Sequence, residues 1–436
     1  MRHAGVRALS SLALLLCVGL VPAVSQQAAD PGLLAAIQGM RAVDNHAHPP
    51  ALPTNGAPDT DYDALPCPPA EPIPGTLLFR ADNPAFSQAW AALFGAHRAA
   101  DDLSAKVRMK RQQGANYPNW VLDKLGIETE LANRVAMGPG LVPPRFRWVA
   151  FADPLLVPLD PTALASDNPD HKFFFGRETI LLQRYLKTLG LRRPPATLDA
   201  YVREVVVPTL ERDKATGALA VKFEAAYLRP LNFQRPDMAA AAAVYAAGGA
   251  PGKAEYYKLQ DAIFHAIALE AGKLGLAVHF HTGFGCGSYF DIRGADPALL
   301  MDVFNDPSLR RTNFVLLHGG LGPYAKTVAS LIAKPNVYTD ISGWTWLLPP
   351  AEIAQTLRTF LEYFPDKVMF GTDLSPGDGA YDWEETGYLF ETHARQGLAL
   401  ALNGMLRDSE ISRADALKIA NRVMRGTAVK LYQLPH

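Results

Sequence analysis

The sequence predicts an α/β fold, a (β/α)8 TIM barrel with long helical insertions at the C-terminal face of its strands. Three observations carry that expectation. Eight short apolar runs end in polar or Gly/Pro punctuation, at 42–46, 129–135, 146–152, 218–224, 276–281, 313–318, 336–341 and 367–373. Helical or irregular stretches separate them, the pattern of parallel strands joined by crossover helices. A chain of 436 residues, 49% hydrophobic and 19% charged, is long enough for one elaborated barrel with a large core.

In chain order, the first 25 residues read as an export signal. Arg2, His3 and Arg7 precede an apolar run from Leu12 to Leu20, and Ala23-Val24-Ser25 stands before polar Gln26. Cleavage after Ser25 leaves residues 26–436 as a single barrel domain and implies a periplasmic or secreted protein. The apolar run is short for a bilayer, and no later segment has the roughly 20 apolar residues of a spanning helix. No stable membrane insertion is therefore expected once the signal is removed; an uncleaved anchor is the competing reading. Lipidation at Cys17 is disfavoured, because Leu16 stands where a lipoprotein signal wants a small residue. The remaining cysteines, Cys67 and Cys286, could form one disulfide or stay as unrelated buried thiols. A formal net charge of −1, without a long Lys/Arg run, leaves no footprint for nucleic acid or an anionic membrane. The expected partner is a small-molecule substrate; self-association as a homo-oligomer stays open.

The first run, AVDNHAHPP from Ala42 to Pro50, delivers His46 and His48. About 80 residues follow before the second run, rich in Pro and Asp over 53–74 and helical over 83–111. In a barrel a connection that long forms a lid or pocket wall on the catalytic face. A second insertion, 154–208, carries the helical stretch RETILLQRYLKTLG. An Ala-rich helix from Met238 to Ala247 closes at Gly248-Gly249. The helix from Lys253 to Gly275 places Leu259, Ile263, Ile267 and Leu274 on one side, with His265 read as structural. Ser412 can cap a helix from Arg413 through Gly426, after which Ala428 to Leu434 packs against the barrel. There are no repeats.

Active sites of such barrels sit at the C-terminal ends of the strands. Five of the eight runs end in ligand-type residues: His46 and His48 on the first, Lys222 on the fourth, His281 on the fifth, His318 on the sixth and Asp373 on the eighth. Histidines two positions apart on a strand point the same way and can grip one ion. Imidazole and carboxylate suit a divalent metal such as zinc, which leaves a position open for water and lowers that water's pKa towards neutrality. Asp373 could also orient or deprotonate the water, and His318 could be a second-metal ligand or a general acid/base. Lys222 binds no metal as an ammonium. As a neutral amine it could take up carbon dioxide, and the carbamate would bridge two ions; its other readings are an anchor for a substrate carboxylate or a salt bridge to Glu224.

Around this set, His279 and Asp340 read as partners that orient the ligands. Arg229 and Arg293 could hold a substrate carboxylate by bidentate pairing, or be ordinary surface arginines. Trp344 and Trp346 could line the pocket's apolar side or pack under the lid. The glycine runs GFGCG and HGGLGP lack the lysine and spacing of a phosphate loop, and no serine or cysteine sits in a nucleophile turn.

The ordered pattern of HxH, strand-four Lys, strand-five and strand-six His and strand-eight Asp resembles the amidohydrolase superfamily of metal-dependent barrels. The motifs VKFEAAYLRPL, HFHTGFG, LLHGG, NVYTDIS and MFGTD look like its amidohydrolase-related branch, which includes barrels fused to glutamine-synthetase-like domains. The resemblance implies that His46, His48 and Asp373 bind the first metal and that His281, rather than His279, is the strand-five ligand. It also implies one ion or two, and hydrolysis or non-oxidative decarboxylation. The reading is thus an exported metal-dependent hydrolase, attacking an amide, ester or lactone carbonyl with activated water. A decarboxylase of a small carboxylic acid is the alternative. A non-catalytic binding barrel is disfavoured, because every expected ligand position holds a competent residue.

Overall fold

Eight strands form one parallel sheet in sequence order: β1 (Ala42–Ala47), β2 (Ile127–Arg134), β3 (Phe146–Phe151), β4 (Ala218–Phe223), β5 (Ala277–His281), β6 (Phe314–Leu317), β7 (Val337–Asp340) and β8 (Val368–Met369). The computed structural model describes residues 29–53, 58–67, 83–95, 103–377 and 382–435. The expected signal peptide lies outside the described residues. Every predicted run overlaps its strand; six contain it, while β1 runs one residue past the predicted 42–46 and β2 starts two residues before the predicted 129–135. Backbone bonds from Asn45 N to Phe370 O (3.0 Å), from Asp373 N to His46 O (2.8 Å) and from His48 N to Leu374 O (2.7 Å) join β1 to the chain that continues β8. The sheet is thereby brought round into a (β/α)8 barrel.

Alternation sorts each strand into two cores. Val278 and Phe280 of β5, Phe223 of β4 and Phe314 of β6 point outward and pack under the helices. Val43, Leu131, Val149, Val315 and Met369 point inward and meet Ala428, Val429 and Tyr432 from the C-terminal helix and Leu434 just after it. That helix, Thr427–Tyr432, therefore fills the barrel interior, in line with the packing expected of 428–434. The helices Met238–Ala247 and Lys253–Leu274 also match the sequence reading, the second stopped by Gly275 in the left-handed region at φ 67°. His265 is structural, its Nε2 3.1 Å from Asp306 Oδ2.

Both insertions reach the catalytic face. The helix Ser104–Gln113 brings buried Lys106 to Glu385 (2.9 Å) and Glu384 (3.1 Å) on the long helix Trp383–Arg407, fixing the first insertion beside the end of β8. The helix His171–Thr188 of the second insertion holds the loop 58–67: Arg184 forks onto Asp61 at 2.7 and 2.8 Å, and Arg177 Nε donates to Ala64 O at 2.7 Å. Arg134, at the end of β2, forks onto Asp59 at 2.8 and 3.1 Å. A disulfide between Cys67 and Cys286 then ties this loop to the one after β5.

Candidate metal centre

β1 departs from simple alternation where it matters. Asp44 pairs with Glu130 and Ala47 with Ala132, so β1 uses one residue more than β2 over this step. Asn45 and His46 consequently both face the interior: Asn45 Nδ2 donates to Asp340 Oδ2 at 2.7 Å, while His46 Nε2 lies 3.1 Å from Asp373 Oδ1. His48 Nε2 is 3.7 Å and His318 Nδ1 3.9 Å from the same carboxylate. Donors sharing one tetrahedral ion with bonds near 2.1 Å stand about 3.4 Å apart. The His46 and His48 spacings to Asp373, 3.1 and 3.7 Å, bracket that value.

Carbonyl oxygens only accept, so they reveal which imidazole nitrogens carry hydrogen. His48 Nδ1 donates to Tyr62 O at 3.2 Å, which leaves the Nε2 lone pair facing Asp373. His281 Nε2 donates to Phe284 O at 2.9 Å, and His318 Nδ1 to Ser342 O at 3.2 Å. The two nitrogens left over, His281 Nδ1 and His318 Nε2, face each other at 3.0 Å with a lone pair apiece. Lone pairs at that distance repel unless a cation stands by them. A proton is a poor candidate, because burial above all holds both imidazoles well below their ordinary range. A metal ion fits.

The same argument applies to the carboxylates. Burial pushes Asp373 well above the usual carboxylate range, with the Lys222 side chain pulling it down and the Asp340, Asp63 and Asp44 carboxylates adding to the rise. His46 is held well below its range by burial and then by the Lys222 cation. His46 Nδ1 and Glu224 Oε2 are buried without hydrogen-bond partners among the described residues. Ligand atoms of His46, His318 and Asp373 lie within 4.8 Å of one another, as do those of His48, Asp63 and Glu224. The donor set therefore suits a divalent cation.

Lys222 is fully buried, with Nζ 3.3 Å from His46 Nε2 and 3.6 Å from Glu224 Oε1. The salt bridge considered from the sequence is thus present, and it lies against the Nε2 side of His46 that faces Asp373. His279, paired in register with Lys222, is one layer deeper and meets Tyr432 Oη at 2.8 Å. Asp340 accepts from His318 N at 2.8 Å and from Ser342 Oγ at 2.8 Å, and so fixes the turn that carries His318. That turn is strained: His318 and Asp373 both have φ 64°, uncommon for residues other than glycine. Gly343 (φ 73°) accommodates them, because a Cβ there would lie 3.0 Å from His318 Nδ1 and 3.2 Å from Asp373 Oδ2.

A cavity of about 380 Å³ opens over these groups, lined by His46, His48, Lys222, His281, His318 and Asp373 together. Three residues expected at the substrate lie elsewhere. Arg229 is buried against Asp261 at 2.9 Å, its guanidinium 4.3 Å from the Phe233 and Tyr257 rings, and it does not line the cavity. Arg293 is exposed and forks onto its neighbour Asp291. Trp344 is buried beneath the site, where its Nε1 donates to His318 O at 2.7 Å; Trp346 takes the wall position instead. The sequence reading missed Asp63, whose Oδ1 stands 3.7 Å from His48 Nδ1, and Tyr227 on the wall. Both lie off the strands, and only the Asp-rich PDTDYD stretch of the first insertion hinted at the former.

The sequence profile described as Amidohydrolase matches residues 192–434, which run from before β4 to the C-terminal helix. No curated protein is detectably similar in sequence. Among solved structures, a Lactobacillus casei protein provisionally named a metal-dependent hydrolase is 17% identical, covering 92% of this chain and 97% of its own, with a TM-score of 0.61. Glucuronate isomerase from Caulobacter crescentus is 13% identical over 93% and 94%, with a TM-score of 0.61. A uronate isomerase from Bacillus halodurans is 11% identical over 92% and 96%, with a TM-score of 0.59. At these identities the likeness is one of fold.

Proposed function

The chain belongs to the amidohydrolase family, a metal-dependent barrel, and from that premise we propose that it is an exported hydrolase of a small-molecule amide, ester or lactone. The observation that carries the reading is the pair of donor sets at the strand ends. His46, His48 and Asp373 would hold one ion, and the facing nitrogens of His281 and His318 a second. Zinc suits this mixture of nitrogen and oxygen donors. Lys222 stands between the sets. Its neutral Nζ would add to carbon dioxide with loss of a proton, and the resulting anionic carbamate would offer oxygen donors to the metal site where an amine now stands against His46.

When bound, the metal supplies Lewis acidity to the scissile carbonyl and acidifies a water. The chain does the rest. Asp373, open to the cavity on one side, takes the proton from the attacking water and returns it to the leaving group. Tyr62, Phe284 and Ser342 carbonyls hold the three imidazoles in one tautomer each, so their lone pairs stay aimed inward. The Cys67–Cys286 disulfide supports export, because such bonds persist in oxidising compartments.

Metal-loaded protein should release acid from simple esters, lactones or amides, and Asp373→Asn should abolish that release. Carbon dioxide evolved from aromatic carboxylates, without acid release from any neutral substrate, would replace the reading with the decarboxylase one.

A further inference from the structure

Above the donor groups the cavity wall changes character. Leu65, Phe284, Leu321, Trp346, Leu347 and the Cys67–Cys286 disulfide form it, and its polar contributions are neutral hydroxyls of Tyr227 and Ser375. Tyr227 Oη accepts from Cys286 N at 3.4 Å, and its phenol has a hydrogen left to donate. Among the described lining residues the one lysine or arginine is Lys222, at the floor between His46 and Glu224, and as the proposed carbamate it would carry no positive charge. The arginines that could have met an anion are committed elsewhere, Arg229 to Asp261 and Arg293 to Asp291.

A charged group set against this apolar wall, away from the metal donors at the floor, would be buried without a partner, which is costly. We infer that the substrate is uncharged outside its scissile carbonyl and carries an apolar body of aryl or short acyl size, which the wall covers while Tyr227 donates to it. The volume, about 380 Å³, is at the small end for a ligand pocket. This inference rests on the hydrolase reading, naming the class of compound that the same site takes.

Binding and turnover separate the two ideas. Calorimetry on the metal-loaded chain would compare two unreactive ketones, acetophenone and 4-acetylbenzoate, which differ by a carboxylate at the far end. The neutral ketone should bind at least tenfold tighter. Leu347→Arg and, independently, Phe284→Arg at the 45% exposed rim should each narrow or reverse that ratio by supplying the missing cation. Equal or tighter binding of the anion by the unaltered protein, or no binding of either ketone, overturns the inference. The matched esters, phenyl acetate and 4-acetoxybenzoate, test the other idea: neutral preference in binding with hydrolysis of neither ester would refute the hydrolase reading and leave the specificity standing.

Discussion

Arg229 shows how much a single residue's partners decide. From the sequence, an arginine just past a strand end is a reasonable anchor for a substrate carboxylate. In the fold its side chain is 1% exposed and pairs with Asp261, 32 positions later, at 2.9 Å. Removing one member of a buried pair leaves the other charge uncompensated, at a cost of about 3–5 kcal/mol. Arg229→Ala should therefore lower the thermal midpoint by several degrees with KM little changed. An unaltered midpoint with a KM raised tenfold or more would return Arg229 to the substrate. The histidines that line the cavity were more legible, because HxH on a strand and single histidines at strand ends follow from alternation alone. Even so, alternation gave the placement of His46 for an incomplete reason, since the extra residue in β1 turns both Asn45 and His46 inward. Asp63 was hidden because a loop residue's direction depends on what holds the loop.

At the scale of elements, the loop 58–67 is the feature that local pattern could not supply. Three arginines from two different elements and one disulfide bring it onto the cavity, where it contributes Asp63 and Leu65. Each partner is distant in sequence, the cysteines by 219 residues. Strand and helix positions, by contrast, follow from hydrophobic period and capping, and the helices over 238–247 and 253–274 stand where the sequence places them. Closing a loop of that length stabilises a fold by about 2–5 kcal/mol. Reduction, or Cys67→Ser with Cys286→Ser, should lower the thermal midpoint and raise KM more than it lowers kcat, because the wall loosens while the metal donors stay on the strands. A variant with unchanged KM and midpoint would show that the arginines hold the loop without the bridge.

Across the whole molecule, the barrel unites groups scattered from His46 to Asp373 at one end of its axis and seals the interior with Tyr432 and its neighbours. Strand count and order were readable because parallel strands buried on both faces are nearly continuous apolar runs. Which strand-end nitrogens are left free to take an ion was not readable, since that depends on tautomers set by carbonyls from three separate loops. The barrel's central claim is that these groups hold divalent metal. The metal-to-protein ratio of the chain over residues 26–436, purified without chelator and with zinc and bicarbonate supplied, tests it most directly. The account predicts a ratio near two, falling by at least one in Lys222→Ala and again in Asp373→Asn. A chain that binds no divalent metal, or whose ratio is the same in Asp373→Asn, would contradict it.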